Sequence, residues 1–163
     1  MNSRSLRFAL FLIAASVLAA CANAQNNAKN KAEPACPPAD AMRAEQLYGQ
    51  WAVRFIHPPA GLPEQATMRL QRHAEFSESL AGTVSREVGR AAGHSTQAVL
   101  AGDLDEGMLL LDESSDKVSI TGTWNGEMKP GSCGKVYQGQ WKDTSRSAAP
   151  DATGVPFTLT RLP

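Results

Sequence analysis

Along this chain an apolar residue, a spacer, a glycine, a second spacer and another apolar residue recur as one unit. The copies are Leu47-Tyr48-Gly49-Gln50-Trp51, Leu80-Ala81-Gly82-Thr83-Val84, Leu100-Ala101-Gly102-Asp103-Leu104, Ile120-Thr121-Gly122-Thr123-Trp124 and Tyr137-Gln138-Gly139-Gln140-Trp141. Side chains alternate across a strand, so the apolar pair and the glycine of each copy share one face and the spacers take the other. A glycine recurring on the inward face predicts sharply coiled strands or close approach of another backbone. The same period-two pattern extends through Leu47–Ile56, Thr67–Ala74, Leu80–Val88, Gln97–Leu104, Met108–Asp112, Lys117–Trp124, Gly134–Lys142 and Val155–Leu162. These segments predict an all-β domain of eight strands.

The breaks between them are short. His57-Pro58-Pro59-Ala60-Gly61-Leu62-Pro63 cannot supply ladder donors and reads as a loop over one mouth. Asp105-Glu106-Gly107 and Ser114-Ser115-Asp116 read as hairpin turns, and Asn125-Gly126 ends the sixth strand. Ser85–Ala98 reads as a strand end followed by a glycine-rich loop, and residues 143–154 as a Ser-, Ala- and Pro-rich connection. Most of these connections are too short for a crossover helix, and eight short strands in a meander favour an eight-stranded antiparallel up-and-down β-barrel over a sandwich.

The start of the chain follows a different pattern. Arg4 and Arg7 precede an apolar stretch, Phe8–Ala20, which reads as a secretory signal over residues 1–20. Leu18-Ala19-Ala20-Cys21 resembles a bacterial lipobox, which implies acylation of Cys21 and a lipid anchor in the cell envelope, on the periplasmic or surface side of the outer membrane. The alternative is Ala22-Asn23-Ala24, a small-x-small site cut before Gln25 to release a soluble periplasmic or secreted protein. Residues 21–45 are poor in large apolar side chains and read as a flexible tether with a short helical turn near its end, which leaves 46–163 for the barrel.

Charge and cysteine count narrow the picture. Removing residues 1–20 takes away two of the 16 basic residues and none of the 16 acidic ones, so the remaining formal charge is −2. That balance gives nucleic acid no electrostatic footing. Beyond Cys21 the cysteines are Cys36 and Cys133, an even pair in an exported chain, and a disulfide between them is expected.

Gly49-Gln50-Trp51 on the first strand and Arg161 on the last, within Phe157-Thr158-Leu159-Thr160-Arg161, resemble the calycin superfamily of lipocalins, avidins, fatty-acid-binding proteins and bacterial metalloprotease inhibitors. The resemblance implies that Gly49, Trp51 and Arg161 close one end of the barrel, the guanidinium packing across the indole. In length and in the opening Leu-x-Gly-x-Trp the chain is nearest to the small inhibitors, whose N-terminal trunk enters a protease cleft. Their disulfide lies within the early strands, whereas Cys36 precedes the first strand here and Cys133 adjoins the seventh.

Sites of chemistry are sparse. Gly131-Ser132-Cys133-Gly134-Lys135 lacks the glycine offset and the following Ser or Thr of a phosphate loop. His57, His73 and His94 have no zinc-ligand spacing. Asp103, Asp105, Glu106, Asp112, Glu113 and Asp116 lack a calcium-binding loop and read as a solvated acidic rim. Arg72 and Arg86 fall in phase with inward residues; with Arg161 they are candidates to receive an anionic head group at a mouth, or else rim residues reaching into water. Phe55, Trp124 and Trp141 join Arg72 and Arg86 as candidates to line a ligand. The expectation is a monomeric, non-enzymatic barrel without metal or cofactor, touching the membrane only through its anchor. It would bind a small apolar or amphipathic molecule or a protein partner, the alternative being a periplasmic protease inhibitor that uses its N-terminal segment as trunk.

Overall fold

The computed structural model describes residues 36–88, 94–149 and 151–163. The signal segment, Cys21, the alternative cleavage before Gln25 and the tether up to residue 35 lie outside the described residues. Eight strands follow in chain order: β1 Gly49–Phe55, β2 Gln65–Arg72, β3 Leu80–Val88, β4 His94–Asp105, β5 Met108–Ser114, β6 Gly122–Met128, β7 Val136–Asp143 and β8 Val155–Arg161. Each pairs antiparallel with its sequence neighbours, and β8 returns to β1, with Trp51 opposite Arg161 and Phe55 opposite Phe157. The sheet is a closed up-and-down barrel, the architecture that the period-two pattern and short connections imply.

Alternation decides what lies inside. Leu109 and Leu111 of β5, Trp124 of β6 and Val155, Phe157 and Leu159 of β8 are buried at every second position. The glycines among them serve close approach. A Cβ on Gly82, Gly102 or Gly139 would overlap a backbone carbonyl oxygen of the neighbouring strand, that of Arg69, Leu110 or Asn125 respectively. Gly126 lies opposite Gly139 and beneath Phe157.

Several boundaries differ from the sequence reading. β6 spans Gly122–Met128, so Asn125-Gly126 lies inside the strand and does not end it. The residues before it are taken by a turn: Asp116 Oδ1 accepts the backbone N–H groups of Val118 (2.9 Å) and Ser119 (2.8 Å), donors that a strand would need for its ladder. Ile120, the first apolar residue of the fourth repeat, is consequently 51% exposed while its partner Trp124 is fully buried. Ser114-Ser115-Asp116 begins this longer connection and is not a tight hairpin. Glu106-Gly107 is one, both residues having positive φ (47° and 86°) as a two-residue turn of mirror-image type requires. β4 starts at His94 and extends the β3–β4 ladder to the pair Val88 and His94.

The folded unit also begins earlier than residue 46. It runs from Cys36 to Pro163. Two short 3₁₀ turns, Ala39–Ala41 and Ala44–Leu47, carry Met42, Ala44 and Leu47 into the core. The reason is local: small and apolar side chains at 39, 42, 44 and 47 fit glycine positions of the barrel, Gly107 beside Ala39 and Gly134 beside Met42.

Candidate functional site

Strand direction divides the inward residues between two ends of the barrel. The starts of β1, β3, β5 and β7 and the ends of the even strands form the lower end, which the segment Cys36–Leu47 covers. Cys36 is disulfide-bonded to Cys133 in the β6–β7 connection. Here Gly49, Trp51 and Arg161 come together. The Arg161 guanidinium lies 5.5 Å from the Trp51 ring centroid and donates to the carbonyls of Tyr48 (2.6 Å) and Gln46. The Trp51 indole N–H donates to the Leu47 carbonyl at 2.8 Å, and its ring meets Tyr137 edge-on. Gly49, at φ 133°, leaves space beside the Arg161 Nη2. Tyr137 is fully buried with its hydroxyl unpartnered, and burial pushes that hydroxyl up to about 12.

The upper end holds an ion pair that the sequence reading missed. Arg86 of β3 donates through Nη1 and Nη2 to the two oxygens of Glu113 on β5, each at 2.7 Å. Trp124 and Trp141 add their indole N–H groups to Glu113 Oε2, at 3.0 and 3.1 Å. The guanidinium lies 5.8, 5.7 and 5.3 Å from the ring centroids of Phe55, Trp124 and Trp141. Gly122 makes the arrangement fit, since a Cβ there would stand 2.7 Å from the Trp141 indole nitrogen.

Both acidic-rim and rim-arginine expectations are therefore corrected for these two residues. Glu113 is 2% exposed and Arg86 8% exposed, so neither reaches into water. Each neutralises the other, and desolvated charges persist in a core only under that condition. Glu113 shares the face of Leu109 and Leu111, four and two residues away, and this phase was its signal; the surrounding run of acidic residues obscured it. Arg72 does not join the cluster. It is exposed at the lower end of β2, so Arg72, Arg86 and Arg161 do not form one anion-binding mouth.

What this arrangement can do chemically is limited. The Glu113 carboxylate already accepts four hydrogen bonds and has no room to act as a base towards a substrate. Arg86 keeps one buried donor, Nε, without a partner. Among the described residues no three His, Cys, Asp or Glu side chains gather as a metal site would require. His73 accepts backbone N–H groups of Glu75 and Phe76 with Nδ1, both at 3.2 Å, and so serves a turn. The barrel interior is filled: Trp51, Trp124, Tyr137, Phe55 and Phe157 are each less than 2% exposed. Three depressions, of about 390, 730 and 280 Å³, lie on the outer surface.

The closed eight-stranded meander, with Gly-x-Trp opening β1 and an arginine of β8 across the indole, is consistent with a calycin-like fold. Comparison with protein-family models and with curated proteins finds no match to the chain, so this class rests on the barrel's own geometry.

Proposed function

We propose that the chain is a non-enzymatic envelope lipoprotein, anchored through Cys21, whose barrel acts as a rigid platform for a protein partner. One observation carries the choice of partner over small ligand: the space where a calycin holds its ligand is taken by Phe55, Trp124, Trp141 and Phe157 around the Arg86–Glu113 pair. Opening it would break an ion pair and repack four rings, at a cost that one small apolar molecule does not offset. The outer surface remains for recognition.

The inhibitor reading keeps one point in its favour, a disulfide at Cys36 that fixes the base of whatever precedes it. Residues 36–47 are themselves folded onto the barrel, so a trunk would be drawn from the chain before Cys36.

Native mass spectrometry of the protein, extracted in mild detergent from the envelope in which it is made, tests the proposal. The expected species is a chain starting at acylated Cys21, alone or with one protein, without a bound small molecule. A mature chain starting unmodified at Gln25 would remove the anchor, and a stoichiometric small ligand would remove the platform.

A further inference from the structure

The largest aliphatic exposure among the described residues lies in the connection from β5 to β6. Val118 is 91% exposed and Ile120 51% exposed. Exposed apolar side chains on a loose loop would carry little information, because ordering them on contact costs entropy. This loop is already ordered. Asp116 accepts the Ser119 hydroxyl at 2.6 Å, the Ser119 and Val118 N–H groups and the Ser114 hydroxyl. The Ser119 hydrogen bonds, followed by that of Val118, hold its carboxyl well below the ordinary carboxylate range, so the clasp stays ionised across neutral and mildly acidic conditions. Thr121 adds a second clasp through Ser115 and the Glu113 carbonyl, and Thr144 a third through the carbonyls of Thr121 and Ile120.

Beside the tip, the groove of about 280 Å³ is lined by Val99, Ala101, Asp112 and Ile120. Below it the outward row continues with Leu110, 37% exposed, flanked by Asp103 and Asp112 on paired strands, and then Asp105. None of these three carboxylates stands within ion-pair distance of a cation among the described residues. Arg43 and Lys117 border the same depressions, against Glu45, Glu78, Asp103, Asp105 and Asp112, so the face joins an aliphatic centre to a flank of net negative charge, the division between apolar core and polar rim that protein interfaces use.

Resting on the reading of the barrel as a protein-binding platform, we propose that the Val118–Ile120 tip and the outer face of β4 and β5 form its docking surface, for a protein that surrounds an apolar cleft with lysine or arginine. Charge complementarity selects this occupant. A second copy docking through the same face by two-fold symmetry would oppose Asp103, Asp105 and Asp112 to themselves. An anionic membrane surface would repel them as well.

A photoreactive residue placed at Val118 of the full chain, and a control at Thr158 on the outer face of β8, test this in cells that make the protein. Irradiation should give a protein adduct from position 118 and none from 158, and the cross-linked peptide should carry basic residues beside apolar ones. With that partner purified, Val118→Asp should weaken binding at least tenfold while leaving the tryptophan emission of the barrel unchanged. Asp112→Asn should slow association and flatten its salt dependence. An adduct from 158 alone would overturn this surface and leave the platform reading standing. A homodimer or lipid adduct from 118, or a partner peptide that is acidic, would overturn the proposal; no protein adduct at either position would overturn the platform reading with it.

Discussion

Arg86 and Glu113 show how much one pair decides within a filled barrel. Glu113→Gln leaves the guanidinium buried without a counter-charge and should destabilise the protein by about 3–5 kcal/mol. Adding Arg86→Met to that variant should recover more than about 1 kcal/mol, because the amide oxygen still accepts from Trp124 and Trp141 and no naked charge remains. Urea unfolding followed by tryptophan emission checks both, and additive losses would show that the pair is not coupled. Tyr137 gives a second test. Its hydroxyl has no partner, so Tyr137→Phe should leave stability at neutral pH unchanged or raise it by up to about 1 kcal/mol. In the folded state the hydroxyl holds its proton to about 12, above the ordinary 10.0. The contribution of this group is then intact below pH 10 and is lost as pH rises through 12, a decline that the phenylalanine variant should lack in a direct comparison of the two proteins.

At the scale of strands, closure and approach distance set the predictions. Arg161→Ala removes the cover of the Trp51 ring and leaves the Gln46 and Tyr48 carbonyls without donors, a loss of about 2–4 kcal/mol. Arg161→Lys should restore only part, since an ammonium cannot lie flat on an indole; denaturant midpoints decide it. Gly139→Ala should cost about 1–3 kcal/mol or more, because the added methyl meets the Asn125 carbonyl and the Gly126 Cα, and β6 must move away. The Cys36–Cys133 bond closes a separation of 97 residues, so replacing both by serine should lower stability by up to about 4–5 kcal/mol in the chain-entropy account, read from thermal unfolding. Which strands exist was legible in the alternation. Where β6 begins was not, because the Asp116 side chain captures two backbone donors there, and a carboxylate's choice of partner is not written in hydrophobic periodicity.

The unit Cys36–Pro163 is built on a single closed sheet whose covered lower end and charged upper interior arise from the same eight strands. Every ladder is between sequence neighbours except the one that closes β8 onto β1, so formation of that last pairing should make unfolding one cooperative transition, with folding on the millisecond-to-second scale of all-β domains. The sequence by itself determined the strand count, the inward face of each strand and the phase that brings Arg161 to the side of Trp51, because a period of two depends only on local backbone geometry; the disulfide partners followed instead from the cysteine count. It also contained the phase of Glu113. Only the tertiary structure decided that Arg86 meets Glu113 while Arg72 ends at the opposite rim, and that Ile120 faces water while Trp124, in the same repeat, is buried. The physical reason is that alternation fixes a face, whereas height within a barrel and neighbours across it follow from strand tilt, stagger and closure, which involve all eight strands at once.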